Sequence, residues 1–573
     1  MIFVKDKIKE LVAQAVKAKF PSEKLEIKIE YPTAAAHGDY ACAIALELVK
    51  KVGKAPKLIA EEIITAIKKP NWIKEITIAG PGFINFFLAP EFLSEFLEEI
   101  KKQGGEFGIG EENSKRTVVI DFSQPNIAKP LGIHHLLSTI IGQSLYNIHK
   151  FLGFKTVGIN HIGDWGTQFG KLSYAYRKWG DQKTVEANPI AELLKLYVKF
   201  HEEAEKDPAL EENGRAEFKK LEQGDAENTK LWRWFCEVSM EEVQKTYDYL
   251  GGIHFDYTQG ESFYEDKMAP ILERGKAEKI FVTGKEGSWV VQFKDDKYPP
   301  YLVQKSDGAT LYSTRDLAAI DYREKTWHPE KILYVVDVAQ SLHFQQLFET
   351  AKLLNLAKAE LTHVVFGRMQ FKDKKMSTRK GNIVLLDEVL KESVAKARTI
   401  VEEKNPDLSE EKKAEVAHQV GVGAVKYAAL SQNRTTNIIF DWDKMLSLEG
   451  NSAPYLQYVH ARACSILRKA KEAGAGEGKQ AKYILKEPQE LNLARLLPKF
   501  PEVVLLAAQE FKPNLITTYL FELASSFNGF YAAVPILKGE ADAIEVRLKL
   551  VEATILTLKN GLKLLGIEAP EEM

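Results

Sequence analysis

The segment Thr117-Val-Val-Ile-Asp-Phe-Ser-Gln-Pro-Asn-Ile-Ala-Lys-Pro-Leu-Gly-Ile-His-His-Leu-Leu-Ser-Thr-Ile-Ile-Gly142 opens with a β-branched run at Val118 to Phe122. That run reads as a buried strand. It gives way to a loop rich in Pro, Asn and Gly, and then to a helix. At the C-terminal edge of a strand in an α/β sheet, ligands collect in the crevice, and the first turn of the next helix offers unpaired N–H groups suited to phosphate. Gly132 permits close backbone approach there, and Lys129, His134 and His135 are candidate donors to phosphate oxygens. The competing reading is an ordinary strand-to-helix turn whose histidines cap the helix or face solvent.

On either side of this segment the pattern repeats. Strand-like runs recur at KTVGIN, KIFVTG, SWVVQF, KILYVV and THVVFG with helical segments between several of them, which predicts an α/β domain with a largely parallel sheet over about 115–390. A highly charged stretch of helical period, about 185–250, reads as an insertion in it. Upstream, residues 1–105 begin with a helix, continue through LEIKIEYP as a short strand and a helix from Tyr40 to Lys51, and end in the alternating run ITIAGPGFINFFLAP: a small α/β module, set off by the polar KKQGGEFGIGEENSKR. Beyond about 390 the strands stop, and long amphipathic helical patterns over 391–573 predict a terminal helical bundle. The fold class is therefore multidomain α/β plus all-α.

Composition narrows the classes. The 573 residues are 45% hydrophobic and 28% charged, as in ordinary globular proteins. The N-terminal MIFVKDKIKELVAQAVKAKF interleaves charges with apolar residues and lacks the uninterrupted apolar core of a secretory signal. No apolar run approaches the roughly 20 residues that a spanning helix needs, so a cytoplasmic protein with no membrane partner is expected. Cys42, Cys236 and Cys464 lie too far apart for a CxxC zinc site or a disulfide framework, and no protein-held metal is expected. With a formal charge of −2, any nucleic-acid partner must be held by local basic patches.

A second chemical segment is Lys372-Asp-Lys-Lys-Met-Ser-Thr-Arg-Lys-Gly-Asn382, with five basic residues in eleven. Cations on a Gly-containing loop suit a triphosphate, although a solvated basic loop has the same composition. The two segments together resemble the HIGH and KMSKS signatures of class I aminoacyl-tRNA synthetases, in the order expected on one α/β domain. SQPNIAKP, STIIGQSL, NHIGDWGTQFGKL from Asn160, GATLYSTRDLAA from Gly308 and KMSTRKGN are similar to the arginyl-tRNA synthetase family. So are Gly38-Asp-Tyr-Ala41 and Gly82-Phe-Ile-Asn-Phe86 near the N-terminus. NRTTNIIFDWDKMLSLEGNSAPYLQYVHARACSI and YLFELASSFNGFY resemble its helical anticodon-binding domain. The resemblance covers nearly the whole chain except the charged insertion.

That resemblance implies a Rossmann-type catalytic domain, ATP as substrate with Mg²⁺ carried on its phosphates, and arginine and tRNA(Arg) as the other substrates. It implies no DNA partner, and a monomer. Two displacements are expected: the arginine carboxylate attacks the α-phosphorus of ATP, and a 3′-terminal ribose hydroxyl of tRNA then attacks the adenylate. Asn126, Glu261, Tyr312, Asp316 and Gln340 match the family's arginine pocket, with Asp316 and Glu261 in the charged roles. Gly132, His134, His135, Lys375, Met376, Ser377 and Arg379 match its ATP site, and Phe83 and Asn85 its contact with the tRNA D-loop. Two departures stand out. Lys375-Met-Ser-Thr378 lacks the second lysine of KMSKS, which a lysine before the HIGH segment compensates in this family, and Lys129 occupies that place. The HIGH segment itself reads Gly132-Ile-His134-His135, so that only His135 matches directly. This second departure supports an alternative, a non-catalytic tRNA-binding relative.

Overall fold

A computed structural model describes residues 3–21, 26–32, 34–110, 113–371, 384–475 and 484–573. The N-terminal part runs α1 (Val4–Lys19), β1 (Ile29–Glu30), β2 (Tyr40–Cys42), α2 (Ile44–Val52), α3 (Pro56–Ala66), β3 (Ile73–Ala79), β4 (Phe83–Leu88) and α4 (Pro90–Gln103). Its strands form an antiparallel sheet in the order β1-β2-β4-β3. The β3–β4 hairpin turns on Gly80 and Gly82, both at positive φ, a conformation that costs glycine nothing. The sequence reading placed one helix from Tyr40 to Lys51. Instead Tyr40–Cys42 is a strand pairing with both β1 and β4, and the helix starts at Ile44. A strand of three residues is too short to display its period of two.

The middle of the chain runs β5 (Thr117–Asp121), α5 (Ile133–Phe151), β6 (Lys155–Asn160), α6 (Thr167–Trp179), α7 (Gln182–Ala187), α8 (Pro189–Lys206), α9 (Ala209–Glu222), α10 (Ala226–Leu250) and β7 (Tyr257–Thr258). It continues through α11 (Met268–Ala277), β8 (Phe281–Thr283), β9 (Trp289–Val291), β10 (Tyr301–Gln304), α12 (Tyr312–Trp327), β11 (Lys331–Asp337), α13 (Ser341–Leu353) and β12 (Glu360–Phe366). Five strands pair in parallel in the order β12-β11-β5-β6-β7. The chain leaves β5 toward β6 on one side and returns as β11 on the other, which puts the topological switch point between β5 and β11. KIFVTG and SWVVQF, read as members of this sheet, form a separate antiparallel sheet with β10. Pairing direction is not encoded in an apolar run. The helices α6, α8, α9 and α10 bury their own apolar faces against one another around Phe169, Phe200 and Phe235.

Past β13 (Met369–Phe371) the regular elements among the described residues are helices with one exception. β14 (Ile438–Phe440) pairs in parallel with β13, so strands do not stop at 390. Long helices follow, among them Leu386–Lys404, Glu410–Leu430, Ala453–Glu472, Asn514–Ala533 and Ala541–Leu564. Close packing requires small residues: a Cβ on Gly421 would collide with the backbone of Val394. The N-terminal part docks on this bundle. Tyr31 donates its hydroxyl to Glu502 at 2.5 Å, the Lys5 N–H donates to the same carboxylate at 2.7 Å, and Arg495 pairs with Asp39 at 3.3 Å. No helix among the described residues is long and apolar enough to cross a membrane.

Candidate active site

The crevice at the switch point is lined by the C-terminal ends of adjacent strands. Beyond β5 the chain bridges from Asn126 to Gly163 in parallel, with the Ile127 N–H donating to Gly163 O at 3.2 Å. A Cβ at Gly163 would run into the Asn126 side-chain oxygen, so glycine there admits the amide. Beyond β7 the Glu261 N–H donates to Ile162 O at 3.0 Å. Asn126 and Glu261 thus stand on successive strand extensions flanking Gly163.

Tyr312 and Asp316 lie one turn apart at the start of α12, facing this edge. Arg315, next to Asp316 in sequence, pairs its guanidinium with Glu261 at 3.2 Å and Glu265 at 2.8 Å. Burial pushes the Glu261 carboxyl up to about 7 against the pull of Arg315, with Asp316, Asp164 and Glu265 adding to the rise. Burial also raises Glu265 and Asp164. Arg315 thus pairs with two carboxyls, Glu261 and Glu265, while the charges of Asp316 and Asp164 lie near enough to Glu261 to raise it further. Asp316 accepts from His343 Nε2 at 2.8 Å, and the Tyr301 hydroxyl lies 3.2 Å from His343 Nδ1. Tyr312, 58% exposed, sets its ring edge-on to His343 at 4.9 Å. Gln340 is exposed at the end of the short turn after β11, three residues ahead of His343, and makes no capping bond with its side chain.

The first turn of α5 forms the other wall. Gly132 is its N-cap at φ −84, and its N–H donates to His135 Nδ1 at 3.0 Å. That bond needs a lone pair on Nδ1, so His135 is neutral and carries its proton on Nε2. Burial and the neighbouring His134 push its pKa down to about 4. The two rings lie 3.9 Å apart; burial lowers His134 as well, opposed by Asp337 at the end of β11. The segment Val384–Leu386 closes the wall: the Ile133 N–H donates to Val384 O and the Leu386 N–H to Leu131 O, both at 2.9 Å. Lys129 is exposed, with Nζ 6.0 Å from the Tyr197 ring of α8. Lys375, Met376, Ser377 and Arg379 lie outside the described residues. Among the described residues no three carboxylate, imidazole or thiolate groups converge as a metal cage.

Two further features bear on a large ligand. On the small sheet Phe83 is half-buried, while Asn85 is 2% exposed between β2 and β3. In the helical bundle a cavity of about 450 Å³ is lined by Tyr458, Arg462, Arg468, Lys469, Tyr531 and Met573. There the Arg462 guanidinium stands 4.7 and 5.1 Å from the Tyr458 and Tyr531 ring centroids.

Residues 97–442 match the family of class I tRNA synthetase (R) catalytic domains. Residues 456–573 match DALR anticodon-binding domains, and residues 6–88 match arginyl-tRNA synthetase N-terminal domains. A Fusobacterium nucleatum protein named arginine–tRNA ligase is 46% identical over 97% of both chains. One of the same name from an Exiguobacterium species is 45% identical over 99% of both. The chain belongs to the arginyl-tRNA synthetase family. The solved arginyl-tRNA synthetase of Thermus thermophilus superposes with a TM-score of 0.85 at 27% identity, each chain covered completely. Catalysis in class I synthetases uses ATP and Mg²⁺. Sequence reading named Asn126, Glu261, Tyr312, Asp316 and Gln340 because family motifs carry them. It missed Arg315, adjacent to Asp316 in the quoted STRD, and it missed His343 and the tyrosine-lined cavity, whose partners lie far along the chain.

Proposed function

We propose that the protein is an arginine–tRNA ligase whose carboxylate-rich pocket takes arginine and whose α5 turn takes the phosphates of ATP. The observation that carries this is the cluster of carboxyls at the crevice, Glu261 and Glu265 on the single Arg315 guanidinium and Asp316 on His343, on a sheet edge that also carries the N-terminus of α5 with its two imidazoles. A second guanidinium brings five planar donors to carboxylates that Arg315 leaves partly unsatisfied. Asn126 and Gln340 supply neutral acceptors on opposite sides of the switch point. With arginine so held, its carboxylate faces the α-phosphorus, and no covalent enzyme nucleophile is required. The His135 Nε2–H and the positive end of the α5 dipole stabilise negative charge developing on phosphate oxygens. Magnesium is carried into the site on the ATP phosphates. Transfer to a 3′-terminal ribose hydroxyl follows. The half-buried Phe83 ring stacks on an unpaired base of the tRNA, and the cavity beside Arg462 receives another between its tyrosines. The matches run through the catalytic region at full length, which favours an active ligase over a non-catalytic relative.

The test is ATP–pyrophosphate exchange and aminoacylation with arginine, lysine and citrulline, with and without tRNA. Arginine alone should serve. Citrulline keeps the shape without the charge and should be rejected by about 10⁴ or more, as for pockets built on polar pairing. Absence of arginine-dependent exchange under every condition overturns the reading.

A further inference from the structure

The loop between β5 and α5 is held in a costly shape. Ser123, Gln124 and Ala128 have φ of 75, 55 and 61, a region that residues with a Cβ occupy only when their surroundings over-determine it. The constraint comes largely from side chains. Ser123 is 3% exposed, and its Oγ lies 2.7 Å from both Thr139 Oγ1 and the Tyr247 hydroxyl. Thr139 in turn donates to His135 O at 2.8 Å, and Asn160 Nδ2 donates to the Tyr247 oxygen at 3.3 Å.

A hydroxyl has one proton, so the direction of every link is determined. Thr139 spends its proton on the His135 carbonyl. Ser123 must therefore donate to Thr139, and Tyr247 must donate to Ser123 while accepting from Asn160. The chain runs one way, from the end of β6, through α10 and the strained loop, to the backbone of His135. Around it the Gln124 N–H donates to Asn160 Oδ1 at 3.2 Å, Gln124 Nε2 to Asp121 at 2.7 Å, and the Ala128 N–H to Ser239 of α10 at 3.3 Å. The end of α10 is itself anchored, with buried Lys426 of the helical bundle donating to Gly251 O at 2.8 Å.

We propose that Tyr247 is a positioning residue for ATP chemistry: from the helical insertion its hydroxyl fixes the strained loop and the first turn of α5, and so the aim of His135. This rests on the function proposed above. Tyr247→Phe removes one oxygen and leaves the ring packed on Phe255 at 5.4 Å. The experiment is arginine-dependent ATP–pyrophosphate exchange by the full chain in four forms: parent, Tyr247→Phe, Ser123→Ala and the double variant. Thermal melts and the KM for tRNA are followed in parallel. The turnover of each single variant should fall about tenfold or more, the scale of a misplaced reacting group, while the KM for tRNA stays at the parental value. The double variant should be no slower than the slower single variant, because both changes break one chain. Parental turnover in Tyr247→Phe, or losses that multiply in the double variant, overturns the proposal. Should Tyr247→Phe not melt cooperatively, Thr139→Val breaks the same chain one link on and is read by the same criteria. A parent without exchange both with and without tRNA removes the underlying function, and the proposal with it.

Discussion

Asp316 shows how much of a site depends on one proton donor. Its carboxylate is held by His343 Nε2 at 2.8 Å, and the ring of His343 is set by the Tyr301 hydroxyl and the edge of Tyr312. The acid is thus aimed before any ligand arrives. Asp316→Asn keeps the shape and removes the charge, and a cationic substrate then loses a desolvated partner. We expect kcat/KM for arginine to fall by at least about 2 kcal/mol, roughly thirtyfold. Unchanged kinetics would remove Asp316 from the pocket. The acid itself was legible in the sequence because STRD sits inside a family motif. The imidazole that orients it was not: 27 residues separate the two, and nothing in SLHFQQLF distinguishes a histidine bonded to a carboxylate from one facing solvent. The same holds for Asn85, whose motif suggests a contact surface although its neighbours on the sheet enclose it.

At the scale of an element, α5 couples stability to pH. His149 near its C-terminal end is 3% exposed, with Nδ1 2.8 Å from Leu145 O. Burial pushes its pKa down from 6.5 to about 4. A base whose folded pKa is depressed contributes stability that is fully present above the unfolded value and is lost as pH falls toward the folded one. Between pH 6.5 and 4 the unfolded chain takes up the proton first, and the loss reaches about 3 kcal/mol. The buried carboxyls Glu261 and Glu502 are pushed up and act in the opposite sense, so the measurement is a difference. Urea midpoints of the parent and His149→Gln, taken from pH 7 to 4.5, should converge as pH falls. A constant gap would show that His149 is not kept neutral. Long elements such as α5 were legible because nineteen residues repeat the helical period several times. Strands of three residues, and the pairing direction of β8 and β9, were not, because a short apolar run has neither a measurable period nor a sign.

Across the whole molecule, the small sheet, the parallel sheet and the helical bundle share one apolar core, yet the tasks proposed for them separate. Phe83 is on the small sheet, outside the crevice. Phe83→Ala should raise the KM for tRNA about tenfold, as for loss of one base–aromatic stack, and leave those for ATP and arginine unchanged. An unaltered tRNA constant would make that sheet purely structural. Substituting buried Asn85 at the same time would confound the result with sheet stability.

The docking of the N-terminal part on the far end of the chain has a consequence for synthesis. Tyr31 and its acceptor Glu502 are 471 residues apart, and Asp39 waits as long for Arg495. At roughly 5–20 residues per second, the first hundred residues stand on the ribosome for about 20 to 80 s before their partner surface exists. During that interval Tyr31 and Asp39 face water or a chaperone. The nascent module must therefore reach a state soluble by itself, with the surface that docks on the bundle left open until the chain has passed Glu502.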